Sequence, residues 1–475
     1  VTFEDTTIDA KLGEPLMVAL LANDVAVAAR SVKYHRARGP FCLAGTCGQC
    51  WMRIDGVPNR PACLEPVRPG LRVERQNAFP SADLDVFGAT DLLFPGGLDH
   101  HRLGTTPVGP LNELVANTAR QMAGFGPPAD EPPAPLAPTP TVAVDALVVG
   151  GGPAGLGAAK ALAERGLGVL LAERRDVLGG RLATGLYPEP AWRALVDDTH
   201  QVIEANGGRV LTGALVLGSY PPEGGETDAA APRAEATAGA PEVVAEVLVR
   251  VGHGDAAHLL RVAPDAIVLA PGGYPLAGTY GGSDLPGHFG LRALATLALV
   301  HGVLPGDAVA IVEPAGAGDE PRRLAAALAA SGAQVTRVRA DAHEAPGADD
   351  GAVTVLAGYE PTRTLTPTLG TARVKGLELR GPDGRTRTVS AALVADGRPP
   401  APAFELAAQL GARVEHQPTL GGFIPRTDAA LGLGRPGVFG AGELLGAKSA
   451  EAALAQGARA GEAAAAWLLG PGDPR

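Results

Sequence analysis

From Val142 onward the apolar positions of this 475-residue chain switch repeatedly between two spacings. Asp145-Ala-Leu-Val-Val is a short continuous apolar run, as a strand buried on both faces requires. A glycine-rich turn follows, and then a helix ending near Gly166. Gly168-Val-Leu-Leu-Ala-Glu173 predicts a second strand. Arg261-Val-Ala-Pro-Asp-Ala-Ile-Val-Leu predicts another, and so does Asp307-Ala-Val-Ala-Ile-Val. Pro321 to Ala330 predicts a helix with proline at its start and Gly332 at its end. Gln334-Val-Thr-Arg-Val is the next strand, and an Ala-rich helix runs from about Ser449 to Leu469. Strands alternating with helices predict parallel α/β layers. The N-terminal part differs. Val1-Thr2-Phe3 and Thr7-Ile8-Asp9-Ala10 suit short strands around a turn, and Pro15 to Val27 has helical spacing with Leu16, Leu20 and Leu21 on one side.

Between these regions, Leu111, Leu114 and Val115 stand at helix spacing. Gly126 to Pro140 is so rich in proline that it predicts an extended, semi-rigid linker. Two further stretches, Tyr220 to Pro241 and Ala340 to Gly351, hold few bulky apolar residues and predict surface loops. The predicted domains are therefore residues 1–105, a helical segment and linker at 106–141, a dinucleotide-type domain at 142–300, a second one at 301–395, and a return to the first at 396–475.

Composition narrows the function classes. The net charge is −11, and residues 1–105 carry 11 Lys+Arg against 12 Asp+Glu, so the acidic excess lies downstream. That balance argues against general nucleic-acid binding. No run of 18 apolar residues predicts a membrane span. The N-terminus has no basic region followed by an apolar stretch, so no signal peptide is expected, although the initiator Met is absent.

All four cysteines fall in one short segment: Cys42-x4-Cys47-x2-Cys50-x12-Cys63. The first three match the spacing of plant-type [2Fe-2S] sites. Gly45 and Gly48 lie between them, where a loop must wrap closely and aim amides at sulfur. The short gap to Cys63 resembles the small iron-sulfur domains of molybdenum hydroxylases. Four thiolates also suit structural zinc, and disulfides or free thiols are the remaining readings. Clustered cysteines without a secretion signal point to a reducing cytoplasm. His100-His101 could belong to a metal site, but no third ligand is in register, so surface or interface histidines are the plainer reading.

The second candidate site is the turn after Asp145-Ala-Leu-Val-Val. Gly150, Gly151, Gly152, Pro153, Ala154 and Gly155 supply G-x-G-x-x-G at a strand-to-helix junction, and Glu173 ends the next strand where it can accept ribose hydroxyls. Pyrophosphate would face the free amides at the helix start. Arg174 follows directly, and Gly179-Gly180-Arg181-Leu182 is spaced as in FAD enzymes. Ala270-Pro271-Gly272 stands where two-dinucleotide flavoproteins carry Ala-Thr-Gly. Gly442-Glu443 resembles the Gly-Asp that closes on the flavin ribityl chain, with a longer acid. These four motifs in order favour FAD over NAD. NAD, or a second flavin at a subunit interface, are the other candidates.

The loop after Asp307-Ala-Val-Ala-Ile-Val reads Glu313-Pro-Ala-Gly316-Ala-Gly318-Asp-Glu-Pro321. Pro321 takes the third glycine position, and Glu313, Asp319 and Glu320 put negative charge where phosphates would sit. This predicts a degenerate NAD(P)-type domain. No Ser/His/Asp triad, zinc-hydrolase pattern or cysteine pair near the flavin is present, so no catalytic residue is assigned. Arg181, Tyr187, Tyr274 and Lys448 stand near the expected flavin position without evident pairing.

Arg30-Ser-Val-Lys-Tyr-His-Arg-Ala-Arg-Gly39 resembles a string in the alpha subunits of heterotetrameric sarcosine oxidases. Ala19 to Asn23, Asp284-Leu-Pro-Gly287 and Gly302 to Gly306 fit as well, so the resemblance covers nearly the whole chain. The cysteine set is instead similar to the shorter alpha subunits of opine, proline and D-hydroxyproline dehydrogenases and of hydrogen cyanide synthase. The resemblance implies a fold in class α/β, with an N-terminal α+β ferredoxin-like [2Fe-2S] domain before a glutathione-reductase-like, two-dinucleotide-binding Rossmann-type flavoprotein. It implies an electron-relaying subunit that serves an amine or amino/imino-acid dehydrogenase or oxidase. The partner would be an FAD-containing beta subunit that oxidises the substrate, with a small third subunit as a further candidate. The alternatives are a self-sufficient NAD(P)H-dependent FAD/[2Fe-2S] reductase and a non-enzymatic scaffold. The basic run Arg30, Lys33, Arg36 and Arg38 would steer an acidic partner or a second flavin's phosphate, or form a solvated face that offsets cluster charge.

Overall fold

Short strands around one buried helix make up residues 1–78. In chain order they are β1 (Thr2–Phe3), β2 (Thr6–Thr7), α1 (Leu16–Ala22), β3 (Ala29–Arg30), β4 (Ala37–Arg38), β5 (Trp51–Ile54), β6 (Val57–Pro61) and β7 (Arg72–Glu74). The molecule is a computed structural model. It describes residues 1–31, 35–78, 81–85, 139–220, 244–342, 352–366 and 373–470, and positions 110 and 113. Lys33, the His100-His101 pair, nearly all of the segment 106–138 and most of both low-complexity inserts lie outside the described residues.

The first sheet has the order β2-β1-β7-β5-β6, with β1 parallel to β7. α1 buries every residue from Leu16 to Leu21, so it is a core helix rather than a half-exposed one. It stops well short of Val27. The Asn23 side-chain amide donates back to the Ala19 carbonyl at 2.8 Å, and Asp24 takes a left-handed φ of 64°. A local side-chain bond of this kind competes with helix continuation.

The chain continues through β8 (Thr141–Val149), α2 (Pro153–Ala163), β9 (Val169–Ala172), α3 (Glu189–Ala205), β10 (Arg209–Leu211), β11 (Ala214–Tyr220), β12 (Glu246–Val251) and β13 (His258–Leu269). After β14 (Gly273–Tyr274) come β15 (His288–Gly290), α4 (Leu291–Ala295), β16 (Ala308–Glu313), α5 (Glu320–Ala330), β17 (Gln334–Arg339) and β18 (Val353–Ala357). Next are β19 (Glu360–Leu365), β20 (Gly376–Arg380), β21 (Thr386–Ser390) and β22 (Leu393–Asp396). The last elements are β23 (Ala401–Pro402), α6 (Glu405–Gln409), β24 (Val414–Gln417), β25 (Gly422–Pro425), β26 (Val438–Gly440) and α7 (Ala450–Leu469).

Contacts divide the chain into two compact units. One is Val1–Ala134 with Ala277–Arg398, and the other is Pro135–Leu276 with Pro399–Arg475. Each is built from two stretches of sequence.

The second unit is organised by the sheet β10-β9-β8-β13-β12-β11, with β26 also beside β13. β10, β9, β8, β13 and β26 run parallel, while β12 and β11 form an antiparallel extension. Ala146 to Val149 and Ile267 to Leu269 are buried. One face of these strands packs on α2, α3 and α7, and the other on residues of β11, β12 and α6. That two-sided burial is why their sequences read as unbroken apolar runs. α7 lies unusually close to α2, since a Cβ at Gly457 would stand 1.9 Å from the Ala154 carbonyl oxygen and one at Gly461 would stand 2.5 Å from that of Ala158.

Within the first unit, β15-β22-β16-β17-β18 form an all-parallel sheet, and β19-β20-β21 an antiparallel one. Ala310, Val312, Val338, Leu356, Leu377, Leu379 and Val394 share one core. Buried Leu324, Ala325 and Leu328 lie on one face of α5.

Candidate functional site

The loop between β4 and β5 carries Cys42, Cys47 and Cys50, and Cys63 follows β6. Cys42, Cys50 and Cys63 are buried and Cys47 is half-buried. Cys42 lies within interaction range of Cys47 and Cys63, and Cys63 within range of Cys50. Backbone amides point at them. Ala44 and Thr46 donate to Cys42 Sγ at 3.3 Å each, and Gly45 donates to Cys63 Sγ at 3.2 Å. Gly45 and Gly48 hold the left-handed φ values, 70° and 65°, that let the loop fold back on itself. Hydrogen bonds from Cys47 and Cys63 push the Cys42 thiol far below its ordinary value, and the same bond pushes Cys47 up. Among the described residues no three His, Cys, Asp or Glu side chains close on a single-ion position. A two-iron cluster does not require it, because its thiolates divide between two irons. Sulfurs gathered together and met by amide donors fit that group.

The second site lies at the carboxyl ends of β8, β13 and β26. Gly150 has φ 100°, and a Cβ there would meet the Ala270 carbonyl oxygen at 2.2 Å. A Cβ on Gly155 would fall 1.7 Å from the Gly150 carbonyl oxygen, so helix and strand approach at the backbone. Gly152 caps α2 with no side-chain bond, and Pro153 is the first helical residue. The first-turn amides are thus left to an anion. Above Gly152 there is room, since the nearest atom to a Cβ there is Gly180 Cα at 3.8 Å. Buried Glu173 accepts from Gly151 N–H at 2.7 Å and from Arg175 N–H at 2.8 Å. Each of its oxygens has a second lone pair for a ribose hydroxyl.

The other predicted contacts converge there. Gly179 N–H donates to the Gly151 carbonyl at 2.8 Å, which brings Gly180, Arg181 and Leu182 to the loop. Arg181 Nη1 lies 3.3 Å from Glu443 Oε1 and 3.2 Å from the Lys448 carbonyl oxygen. A Cβ on Gly272 would lie 3.6 Å from Glu443 Oε2, so the Ala270-Pro271-Gly272 turn faces the same carboxylate. Gly442 donates to Gln456 Oε1 at 2.8 Å, and Ser449 caps α7 by accepting from Ala452 N–H. Arg174 has a buried Nε without a hydrogen-bond partner among the described residues. Tyr274 donates to Glu405 Oε2 at 2.9 Å, and burial together with that carboxylate lifts its hydroxyl to about 12. The side chains that looked unpaired in sequence, Arg181 and Tyr274, are therefore committed.

The loop of the second βαβ stretch differs from its sequence reading in charge. Glu313 is held by Arg337 at 2.7 Å and faces Arg339, Asp319 pairs with Arg323, and Glu320 pairs with Arg292 at 2.8 Å. Each acid is offset by a guanidinium that linear reading could not place. The loop lines a cavity of about 180 Å³ with Glu313 to Gly318, Arg339 and Asp341.

Sequence reasoning missed a second polar group in this domain. Asp396 Oδ2, Tyr280 Oη and Arg398 Nε are buried without hydrogen-bond partners among the described residues. Asp396 ends β22 beside β16, where the strand order of the parallel sheet reverses. Polar guests bind at such crossover points. Burial lifts the Asp396 carboxyl to about 6 and lowers the His288 imidazole, which bonds Thr364 at 2.8 Å, to about 4. The only local signal was Asp396-Gly-Arg398 closing an apolar run.

Known proteins share this organisation. The family model for a 2Fe-2S iron-sulfur cluster binding domain matches residues 1–78, and that for pyridine nucleotide-disulphide oxidoreductases matches residues 144–457. Sarcosine oxidase subunit alpha of Rhizobium meliloti is 27% identical over 357 residues, 73% of this chain but 34% of that protein. The chain thus spans about a third of that relative's length. Hydrogen cyanide synthase subunit HcnA of Pseudomonas aeruginosa is 40% identical over 70 residues, which cover 15% of this chain and 66% of that one. In fold, the chain is similar to L-proline dehydrogenase from P. horikoshii, with TM-score 0.64 and 21% identity over 97% of this chain and 71% of that one. No helix among the described residues is long and apolar enough to cross a membrane. The chain belongs to the pyridine nucleotide-disulphide oxidoreductase family as an FAD and [2Fe-2S] oxidoreductase related to sarcosine oxidase alpha subunits.

Proposed function

We propose that this chain is the electron-relaying subunit of a heteromeric amine or amino/imino-acid dehydrogenase or oxidase. Its substrates would be of the sarcosine, proline, hydroxyproline, opine or glycine class, oxidised on a separate FAD-containing beta subunit. One observation carries the reading. The four-thiol site and the dinucleotide cradle occur in one chain, while two of the four side chains near the expected flavin position are already engaged, Arg181 by Glu443 and Tyr274 by Glu405. A dehydrogenase pocket needs convergent groups left for the substrate. The relatives are named as subunits of sarcosine oxidase and of hydrogen cyanide synthase, which agrees with a role inside an assembly.

When bound, FAD exchanges electrons in pairs and a [2Fe-2S] cluster passes them singly. In this reading the residues hold and shield those groups. The α2 amides and Gly150 to Gly155 seat the pyrophosphate, Glu173 takes the ribose, and Gly442 and Glu443 close over the flavin end. Cys42, Cys47, Cys50 and Cys63 ligate the cluster. The site of action would be the cytoplasm.

The test is expression of this chain alone and with its candidate beta subunit, followed by steady-state assay with sarcosine, proline, hydroxyproline, glycine and opines. Activity only on co-expression supports the proposal. Turnover by the isolated chain overturns it.

A second reading is a self-sufficient NAD(P)H-dependent reductase. It is favoured by the cavity at Glu313 to Gly318, whose acids are offset by arginines.

A further inference from the structure

Two sequence strings with no role in the sites above, Arg30 to Gly39 and Asp284 to Gly287, meet in the structure. Arg36 donates from Nε and Nη2 to the two oxygens of Asp284 at 2.8 and 2.7 Å. Arg38 donates from Nη1 to the same carboxylate at 2.8 Å. Burial would lift the Asp284 carboxyl, but the bonds from Arg36 and the charges of both arginines hold it below its ordinary range. The three side chains are 39%, 25% and 29% exposed.

A lone exposed ion pair contributes little. This one is forked, shared and partly desolvated, and the backbone beside it interlocks as well. A Cβ on Gly39 would stand 2.5 Å from the Ala26 carbonyl oxygen and 3.0 Å from Pro286 Cβ. Two residues on, the Phe41 carbonyl accepts Gly290 N–H at 2.9 Å. The next residue is Cys42, whose sulfur takes the Ala44 and Thr46 amides. The run that delivers Cys42 is thus bonded at 36, 38 and 41, and closely packed at 39, to a segment 246 to 249 residues away.

We propose that Asp284 is a positioning residue for the iron-sulfur site, clamping Arg36 and Arg38 so that the strand leading to Cys42 is fixed, and setting the local charge by opposing two guanidiniums with one carboxylate. This role is independent of which substrate the assembly oxidises.

The test uses the full chain with both cofactors and three variants: Asp284→Asn, Asp284→Glu and Arg38→Gln. Two properties are read, the half-time of iron removal by a chelator and the cluster midpoint potential from a dye-mediated anaerobic titration. Asp284→Asn is expected to speed iron loss about tenfold, the scale of one lost charge-assisted hydrogen bond. It should also raise the cluster potential, because removing an anion disfavours the oxidised, less negative state. Asp284→Glu should stay near wild type. Arg38→Gln leaves the Arg36 fork in place and should move the potential the opposite way. Wild-type values in Asp284→Asn overturn the proposal. So does equal impairment in Asp284→Glu, or a potential shift of the same sign in Arg38→Gln, because a purely structural role would not follow charge. If Asp284→Asn fails to fold, faster iron loss in Asp284→Glu than in wild type, or a potential that is not lowered in Arg38→Gln, overturns the proposal.

Discussion

Arg181 and Glu443, 262 residues apart in sequence, approach to 3.3 Å with their side chains 7% and 13% exposed. The contact joins the turn after Gly180 to the turn after Gly442, on two sides of the expected flavin position. Breaking such a buried pair from one side removes a charge-assisted contact, at a cost of about 2 kcal/mol. Glu443→Gln and Arg181→Met should each lower the thermal midpoint of the flavin-bound protein. The double variant should lose less than the two singles combined. Simple additivity in a double-mutant cycle would show that the two residues act separately.

Gly152 and Gly155 should respond differently to substitution. Gly152→Asp meets open space in the protein, so the chain should fold, but with a carboxylate at the proposed pyrophosphate position. FAD released on gentle denaturation should fall from about one per chain to nearly none. Gly155→Val collides with the Gly150 carbonyl and should reduce soluble yield itself. A Gly152→Asp protein that retains its flavin would mean the pyrophosphate lies elsewhere.

Cys47→Ser removes one of the four proposed ligands and should abolish the broad visible absorption and acid-labile sulfide of the cluster, about two irons and two sulfides per chain. Stoichiometric zinc in the wild-type protein, with no sulfide, would contradict the cluster assignment.

The second dinucleotide loop lends itself to a direct assay. NADH and NADPH should not bleach the flavin at turnover-relevant rates in anaerobic stopped flow, because Pro321 replaces a glycine and removes an amide from the first turn of α5. Rapid bleaching by either nucleotide would promote the reductase reading. The offset acids around Glu313 make that outcome a serious competitor.

A pH effect follows from the buried groups in the same domain. The Asp396 carboxyl is lifted to about 6, so its contribution to stability is complete below its unfolded value of 3.8 and is lost as pH rises through 6. His288 acts with the opposite sign. Its imidazole is lowered to about 4, so its contribution is complete above 6.5 and is lost as pH falls toward 4. Asp396→Asn keeps the shape and cannot ionise. Relative to wild type it should gain about 1–3 kcal/mol between pH 4 and 7, read from unfolding midpoints across that range. A constant difference between the two proteins would refute the shift.

The parts legible in sequence were those whose chemistry is local. The thiol spacing from Cys42 to Cys63, the loop from Gly150 to Gly155 and the acid at Glu173 all lie within one or two adjacent elements. Their spacing follows from turn and helix geometry. The strands β8, β9, β13 and β16 were visible because burial on both faces leaves unbroken apolar runs. The antiparallel extension of β11 and β12 and the sheet β19-β20-β21 were less visible, because half-exposed strands mix polar and apolar residues. Pairings across long separations were hidden altogether. Nothing near Arg36 indicates Asp284, and nothing near Glu313 indicates Arg337. The early stop of α1 comes with the Asn23 side-chain bond to Ala19 and the left-handed Asp24, which spacing rules do not register.

The assembly of the second unit from Pro135–Leu276 and Pro399–Arg475 also sets an order of synthesis. Gly150 to Glu173 leave the ribosome early, but β26 must slot beside β13, and α7 must close on α2 through Gly457 and Gly461, before the cradle has its second wall. Between Glu173 and Val438 lie 264 residues, including the whole of the interposed sheet from β15 to β22. The nascent dinucleotide loop therefore waits with the β13 edge and one face of α2 uncovered, where a chaperone or the flavin itself would find it. C-terminal tags or truncations that disturb residues 438–469 should accordingly show up as flavin-free protein, although the motif that names the site lies far upstream and is untouched.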